Sequence, residues 1–252
     1  MTEPQPTPDK LVVLQSNYLP WRGYFDLVHD ADLFVFYDDV QYTKNDWRNR
    51  NKVKTPTGCE WLTIPAGADE NRLICEVQLA GSGWQRKHWQ TLLQLYGKAP
   101  HFGCYRAVFE DVYLGRNWTN LSELNQHLIT TISRELLGLQ TRFADSRDYN
   151  LTGRKQDRLI ELVTKTRART YVSGPAAKDY IDPSRFDAIG VQLVWKDYTG
   201  YPEYVQRHPP FRGDVSIVDL LFNVGADAPA YIWGWRRADV DERTDNVSTP
   251  SK

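Results

Sequence analysis

The sequence predicts an α/β domain built on a mainly parallel sheet of the Rossmann-like or nucleotidyltransferase-like kind, with an inserted helical segment. Three observations predict it. Leu11 to Leu14 and Leu33 to Tyr37 are short apolar runs bounded by polar residues, the pattern of strands covered on both faces. Trp21 to His29, between them, suits the crossover helix of a right-handed βαβ unit. Farther on, the helical pattern of Arg154 to Thr166 leads into the apolar stretch Thr170 to Ser173.

Taken in order, the first helix has Pro20 just ahead of it, where a missing N–H costs little, and Phe25 and Val28 as its buried stripe. The link His29 to Asp32 is short enough for a βαβ turn. Gln41 to Lys54 is so polar that a surface loop is expected. Glu60 to Pro65 alternates as a hairpin arm, and Arg72 to Leu79 is a weaker strand candidate. Three helices should follow without intervening strands. Trp84 to Tyr96 carries Trp89, Leu92, Leu93 and Tyr96 inward, Phe102 to Leu114 is the second, and Asn120 with Glu123 forms a capping box for the third. This run defines an insertion over about residues 84–138. Phe143 to Asp145 returns to the sheet, Val191 to Trp195 is its last strand, and Ser216 to Asn223 the last helix. Residues 11–235 then form one domain, with disordered ends at 1–10 and 236–252.

The 252 residues are 41% hydrophobic and carry a formal charge of −1, which excludes bulk electrostatic attraction to nucleic acid or membrane as the main purpose. Cys59, Cys75 and Cys104 have neither zinc spacing nor an even count, so they read as reduced thiols of a cytoplasmic protein. The Pro-rich start lacks a signal sequence, and no stretch reaches the length of a membrane span. His29, His88, His101, His127 and His208 show no ligand spacing, and no metal site is expected.

Candidate chemistry gathers after the strands. Pro20 to Tyr24 occupies the place where several nucleotidyl-transferring enzymes hold an H-x-G-H signature, with Trp21 and Tyr24 at the histidine positions. Gly23 would allow close approach of an anion there, and Arg22 would add charge. Asp38 and Asp39 close the second strand and suit a ribose, a magnesium ion or an ammonium group. Tyr42, Trp47, Arg48, Asn49, Arg50 and Lys52 mix planar donors with aromatic faces, a combination fit for phosphate and sugar or for single-stranded RNA. Ser173 and Gly174, then Lys178 and Tyr180, offer a hydroxyl and a cation at a later strand end. Asp219, on an apolar helix, is read as a paired core carboxylate.

The strings LQSNYLPWRGYFDLVHDADLFVFYDDVQYTKNDWRNRNKVK, EWLTIP, YVSGPAAKDYID and SIVDLLFNVG resemble the WbqC-like protein family over most of Leu11 to Gly225. Some members are described as glycine transferases acting on an amino sugar. The resemblance implies an enzyme that joins an aminoacyl or acyl group to an amine of a sugar or sugar-like metabolite. Asp38, Asp39 and Lys178 would be catalytic, and Gln15, Asn17, Tyr18, Tyr24, Gln41, Tyr42, Trp47, Arg48, Asn49, Arg50, Lys52, Ser173, Gly174 and Tyr180 would bind substrate. Pro20, Gly23, Asp219 and Asn223 also match the family pattern. The acyl donor is either an adenylate formed from ATP with Mg or an aminoacyl-tRNA. The alternative is a non-catalytic sugar-nucleotide or RNA-binding module of a polysaccharide pathway.

Overall fold

The computed structural model describes residues 7–67, 69–79 and 81–236. Its centre is a five-stranded parallel sheet of β1 (Lys10–Leu14), β2 (Leu33–Phe36), β5 (Arg142–Asp145), β6 (Thr170–Ser173) and β7 (Gln192–Trp195), in the order β5-β2-β1-β6-β7. Residues alternate across each strand, so both faces must be covered. Leu11, Val13, Leu33 and Val35 meet Leu159, Leu162 and Val163 of α5 (Lys155–Thr166) and Phe186 of α6 (Ser184–Asp187). Val12, Phe34 and Phe36 belong to the larger core on the other face. That core also takes Phe25 and Val28 of α1 (Arg22–Asp30), the inserted helices, and Leu220 to Phe222 of α7 (Ile217–Val224).

β2 and β5 are neighbours in the sheet, yet residues 37–141 lie between them in sequence. The excursion holds the antiparallel hairpin β3 (Arg50–Thr55) and β4 (Gly58–Thr63), then α2 (Gly83–Tyr96), α3 (Phe102–Glu110) and α4 (Leu121–Thr131). It therefore begins well before residue 84. The Asn120 side chain caps α4 by accepting from Glu123 N at 3.0 Å.

Three local expectations are corrected. The polar run through Lys54 is not all loop: from Arg50 it is strand β3, because Asn51, Val53 and Thr55 are buried while Arg50 and Lys52 alternate with them. Arg72 to Leu79 is no strand. It pairs with neighbours in isolated bridges, Gln41 to Leu73 and Gln78 to Asn120, and not in a ladder, and it winds into a 3-10 turn at Ile74–Glu76. Asp9 and Lys10, expected to precede the domain, are bound to it through their backbone N–H groups, each 2.9 Å from the Asp32 carboxylate. The expected disorder at 1–6 and 237–252 lies outside the described residues. No helix among the described residues is long and apolar enough to cross a membrane.

The insertion is joined to the sheet by a buried polar contact. Tyr18, after β1, places its hydroxyl 2.9 Å from His88 Nδ1 of α2 and against the Tyr113 hydroxyl. Burial pushes His88 down to about 4. The folded chain thus keeps His88 neutral while the unfolded chain protonates it near pH 6.5, so stability falls as pH drops between these values, by at most about 3 kcal/mol. Denaturant unfolding at about pH 7 and about pH 4.5 checks this: His88→Gln should lose less stability on acidification than the parent chain.

Candidate functional site at the switch point of the sheet

β1 leads through α1 to β2 on one side, whereas β6 leads through α6 to β7 on the other. The connections diverge between β1 and β6, which opens a crevice at the carboxyl ends of these strands, the place where open α/β sheets bind ligands. A cavity of about 960 Å³ lies there. Gln15 after β1, Ser173 at the end of β6 with Gly174 after it, and the first turn of α5 line it.

Its walls are apolar and aromatic, with Val13, Leu159, Tyr37, Tyr171 and Tyr180. Its charges are lopsided: Arg154, Lys155, Arg158 and Arg185 against the single carboxylate of Asp157, which Arg185 already holds at 2.6 Å. Arg158 is aimed by Asp39 and by the Leu151 carbonyl, the latter at 2.9 Å. Burial raises the Tyr37 hydroxyl to about 12, with Arg158 opposing, so it stays protonated as a donor. Arg154 occupies the N-cap position of α5 without a side-chain capping bond, and Lys155 begins the helix at a left-handed φ of 50°. Cations at the positive end of a helix are disfavoured by roughly 0.3–1 kcal/mol each unless an anion sits among them. That run, Arg154-Lys-Gln-Asp-Arg158, is the sequence signal for these residues, and periodicity alone conceals it because it marks only a helix.

The family-matching residues fall into groups. Asp38 is fully buried and accepts from Ser16 N at 2.8 Å, from the Ser122 hydroxyl and from Gln126 Nε2 at 3.2 Å. It organises the site without reaching the cavity. Asp39 accepts from the Ser146 hydroxyl at 2.5 Å and from Arg158, one bond removed from the cavity. Lys178 is exposed, with Nζ 5.7 Å from the centre of the Trp195 ring, while its neighbours Ala177 and Tyr180 line the cavity.

Tyr18, Tyr24, Tyr42, Asn49 and Asp219 are buried. Tyr24 donates to the Gln15 carbonyl at 3.0 Å, Asn49 to the Ile64 carbonyl at 2.9 Å, and Asp219 takes Tyr96, Tyr204 and Gln206 at 2.8–2.9 Å. Asn223 spends its side chain on the Asp219 and Arg207 backbones, at 2.7 and 3.0 Å. Gln41 is exposed and reaches the Glu70 carbonyl at 3.3 Å. Asn17 and Trp47 share a second, smaller pocket of about 260 Å³ with Pro20, Trp21, Asn51 and Asp214, and Arg48 donates to Asn17 from beside it. Arg50 and Lys52 stand with Trp61 on the hairpin.

The Pro20 to Tyr24 turn is not laid out for phosphate. A side chain on Gly23 would meet the Trp21 ring at 2.3 Å, so the glycine makes room for that indole and not for an anion. Arg22 is buried, bonded to the Pro202 carbonyl at 2.7 Å and stacked on Tyr201. Among the described residues, Asp26, His29 and Asp30 bring ligand atoms within 4.8 Å of one another. Lys196 Nζ already bridges the two carboxylates at 2.7 and 2.6 Å, and Arg236 adds a second cation on Asp26.

An open parallel α/β sheet with a switch-point cavity defines the class of this protein. The chain belongs to the WbqC-like protein family, whose model matches residues 15–231. It is 45% identical over 225 residues to the uncharacterized protein Rv1507c of Mycobacterium tuberculosis, covering 88% of this chain and 97% of that protein. No solved structure matches.

Asp38→Asn keeps the shape but turns an acceptor into a donor facing Ser122 and Gln126. It should lower stability by about 2–4 kcal/mol, because buried donors lose a charged partner. Denaturant unfolding reads the loss directly, and a change below about 0.5 kcal/mol, the range of ordinary surface substitutions, would rule out this organising role.

Proposed function

We propose that the protein is an amide-forming enzyme that transfers an aminoacyl or acyl group to an amine of a sugar or sugar-like metabolite, with the activated donor in the switch-point cavity. The observation that carries this reading is the cation excess over tyrosine and aliphatic walls. A donor of either kind presents an anion next to a ring: an acyl-adenylate does so, and so does the 3′ end of an aminoacyl-tRNA. Arg154, Lys155 and Arg158 would hold the phosphate, and a tyrosine face would take the base.

In the reaction the acceptor ammonium first gives up a proton; Asp157 lines the cavity but is held by Arg185, and Asp39, bonded to Arg158 behind the wall, is the family-pattern carboxylate nearest to it. The free amine attacks the acyl carbonyl, the oxyanion collapses, and the C–O bond to AMP or to the tRNA ribose breaks as the amide forms. Cations on the phosphate favour a departing AMP, whose charge grows as the bond breaks. The family resemblance supports the acyl chemistry, and the cationic cavity supports this location for the donor.

A second reading, a non-catalytic sugar-nucleotide or RNA-binding module, is favoured by Trp47 and Trp61, each 42% exposed and flanked by Arg50 and Lys52. The two separate in one assay. The protein is incubated with glycine, ATP and an amino-sugar nucleotide, with and without charged tRNA, and mass gain and AMP are followed. A glycyl adduct is expected, and replacing Arg154 and Lys155 by Ala should lower kcat/KM at least about tenfold, the worth of one charged hydrogen bond. Ligand binding without any adduct would leave the binding module.

A further inference from the structure

The hairpin places a second charged feature away from the switch-point cavity. In β3, Arg50, Lys52 and Lys54 project to one face because residues two apart share a side of a strand. Lys54 and Lys52 stand opposite Cys59 and Trp61 of β4. A cavity of about 490 Å³ opens here, lined by Lys52, Lys54, Thr57, Trp61, Arg212 and the Pro209-Pro210 wall among others. Three of its lining residues are cations and none is an acid.

The cations differ in how well they are matched. Lys52 lies 2.7 Å and Arg212 3.0 Å from the Asp214 carboxylate, which both hold well below the usual range. Lys54 is 1% exposed, although an ammonium has three donors to satisfy. Its Nζ makes one long contact, 3.4 Å to the Gly58 carbonyl, and among the described residues no carboxylate lies within ion-pair distance. Asp219 feels its charge but is occupied by Tyr96, Tyr204 and Gln206. A buried charge with unmet donors is costly unless a counter-ion completes it. Lys54 is one of the residues that line the cavity.

We propose that this cavity is a binding site for a phosphate or diphosphate group of a small metabolite, with Lys54 as its buried anchor and Arg212 and Lys52 closing over the remaining oxygens. Arg and Lys suit a phosphoryl oxyanion, the first as a planar fork and the second as a point charge. Trp61 offers an indole face to whatever ring the phosphate carries, and Arg50 lies 4.3 Å from the centre of that ring. The site is independent of the proposed acyl chemistry, since it shares no lining residue with the switch-point cavity.

The test uses inorganic pyrophosphate as probe on the full chain, at ionic strength matched with sodium chloride, reading thermal stability and heat of binding. A saturable stabilisation at millimolar concentration is expected, weakened at least about tenfold in Lys54→Met, which keeps length and burial but removes the charge. Arg212→Ala removes a half-exposed side chain and should weaken binding without lowering the melting temperature of the free protein, so it serves if Lys54→Met folds poorly. The double Arg154→Ala, Lys155→Ala variant should keep the part of the response that Arg212→Ala removes, because the switch-point cavity is a separate space. Absence of any response in the parent chain overturns the proposal. So does a response that Arg212→Ala leaves intact, or one that vanishes with the Arg154 and Lys155 pair.

Discussion

The architecture of the site depends on one buried carboxylate. Asp38 follows β2 at the point where the chain departs on its long excursion, and it gathers three donors from two segments: Ser16 N from the β1 loop, and Ser122 and Gln126 from α4. Its own carbonyl accepts from Cys75 N at 2.9 Å. A carboxylate with no exposed surface is tolerable only when donors surround it, and here the donors come from segments that would otherwise have no reason to meet. The requirement works in both directions. The insertion must return α4 to the sheet edge to satisfy the charge, and once returned it fixes the β1 loop against which a ligand would lie.

Asp39, next in sequence, points the opposite way, as neighbours in an extended chain do, and there it meets Ser146 and Arg158. Two adjacent carboxylates therefore do unlike work, one inside the core beneath α4 and one behind the cationic wall of the cavity. Their adjacency in sequence suggests a paired site that the backbone geometry does not permit. The cations divide similarly: those of α5 serve the cavity, Arg22 is a packing element against Tyr201, and Lys196 is spent on Asp26 and Asp30.

The parallel sheet was legible chiefly through β1 and β2, which carry unbroken apolar runs, and α5 and α7 because their apolar residues keep helical spacing; Asp219 was likewise readable as a core carboxylate. β3 was not, since Arg50, Lys52 and Lys54 present three cations in six residues and only Asn51, Val53 and Thr55 betray the buried face. Hydropathy weighs a lysine as exposed, whereas Lys54 is enclosed by the hairpin turn. At the candidate site, the strand-end residues Gln15, Ser173, Gly174 and Tyr180 could be found from chain order. The wall opposite them could not, because α5 is brought to the crevice by a connection whose path depends on the sheet order.

The β1 loop has a consequence for how the two ligand spaces relate. Gln15 lines the switch-point cavity, Ser16 is pinned to Asp38, and Asn17 lines the smaller pocket with Trp21 and Trp47. Three consecutive residues thus separate the two spaces, Gln15 lining one, Asn17 the other, and Ser16 bonded to the core between them. Arg48 holds Asn17 from the hairpin side, the Tyr18 N–H donates to the Trp47 carbonyl at 2.9 Å, and the Tyr18 carbonyl accepts from Asn51 Nδ2 at 3.3 Å. A ligand that displaced Asn17 would therefore pull on the same loop that orients Gln15, with Asp38 as the fixed point between them. The two spaces are thus divided by one short segment, held at Ser16 by Asp38 and at Asn17 by Arg48.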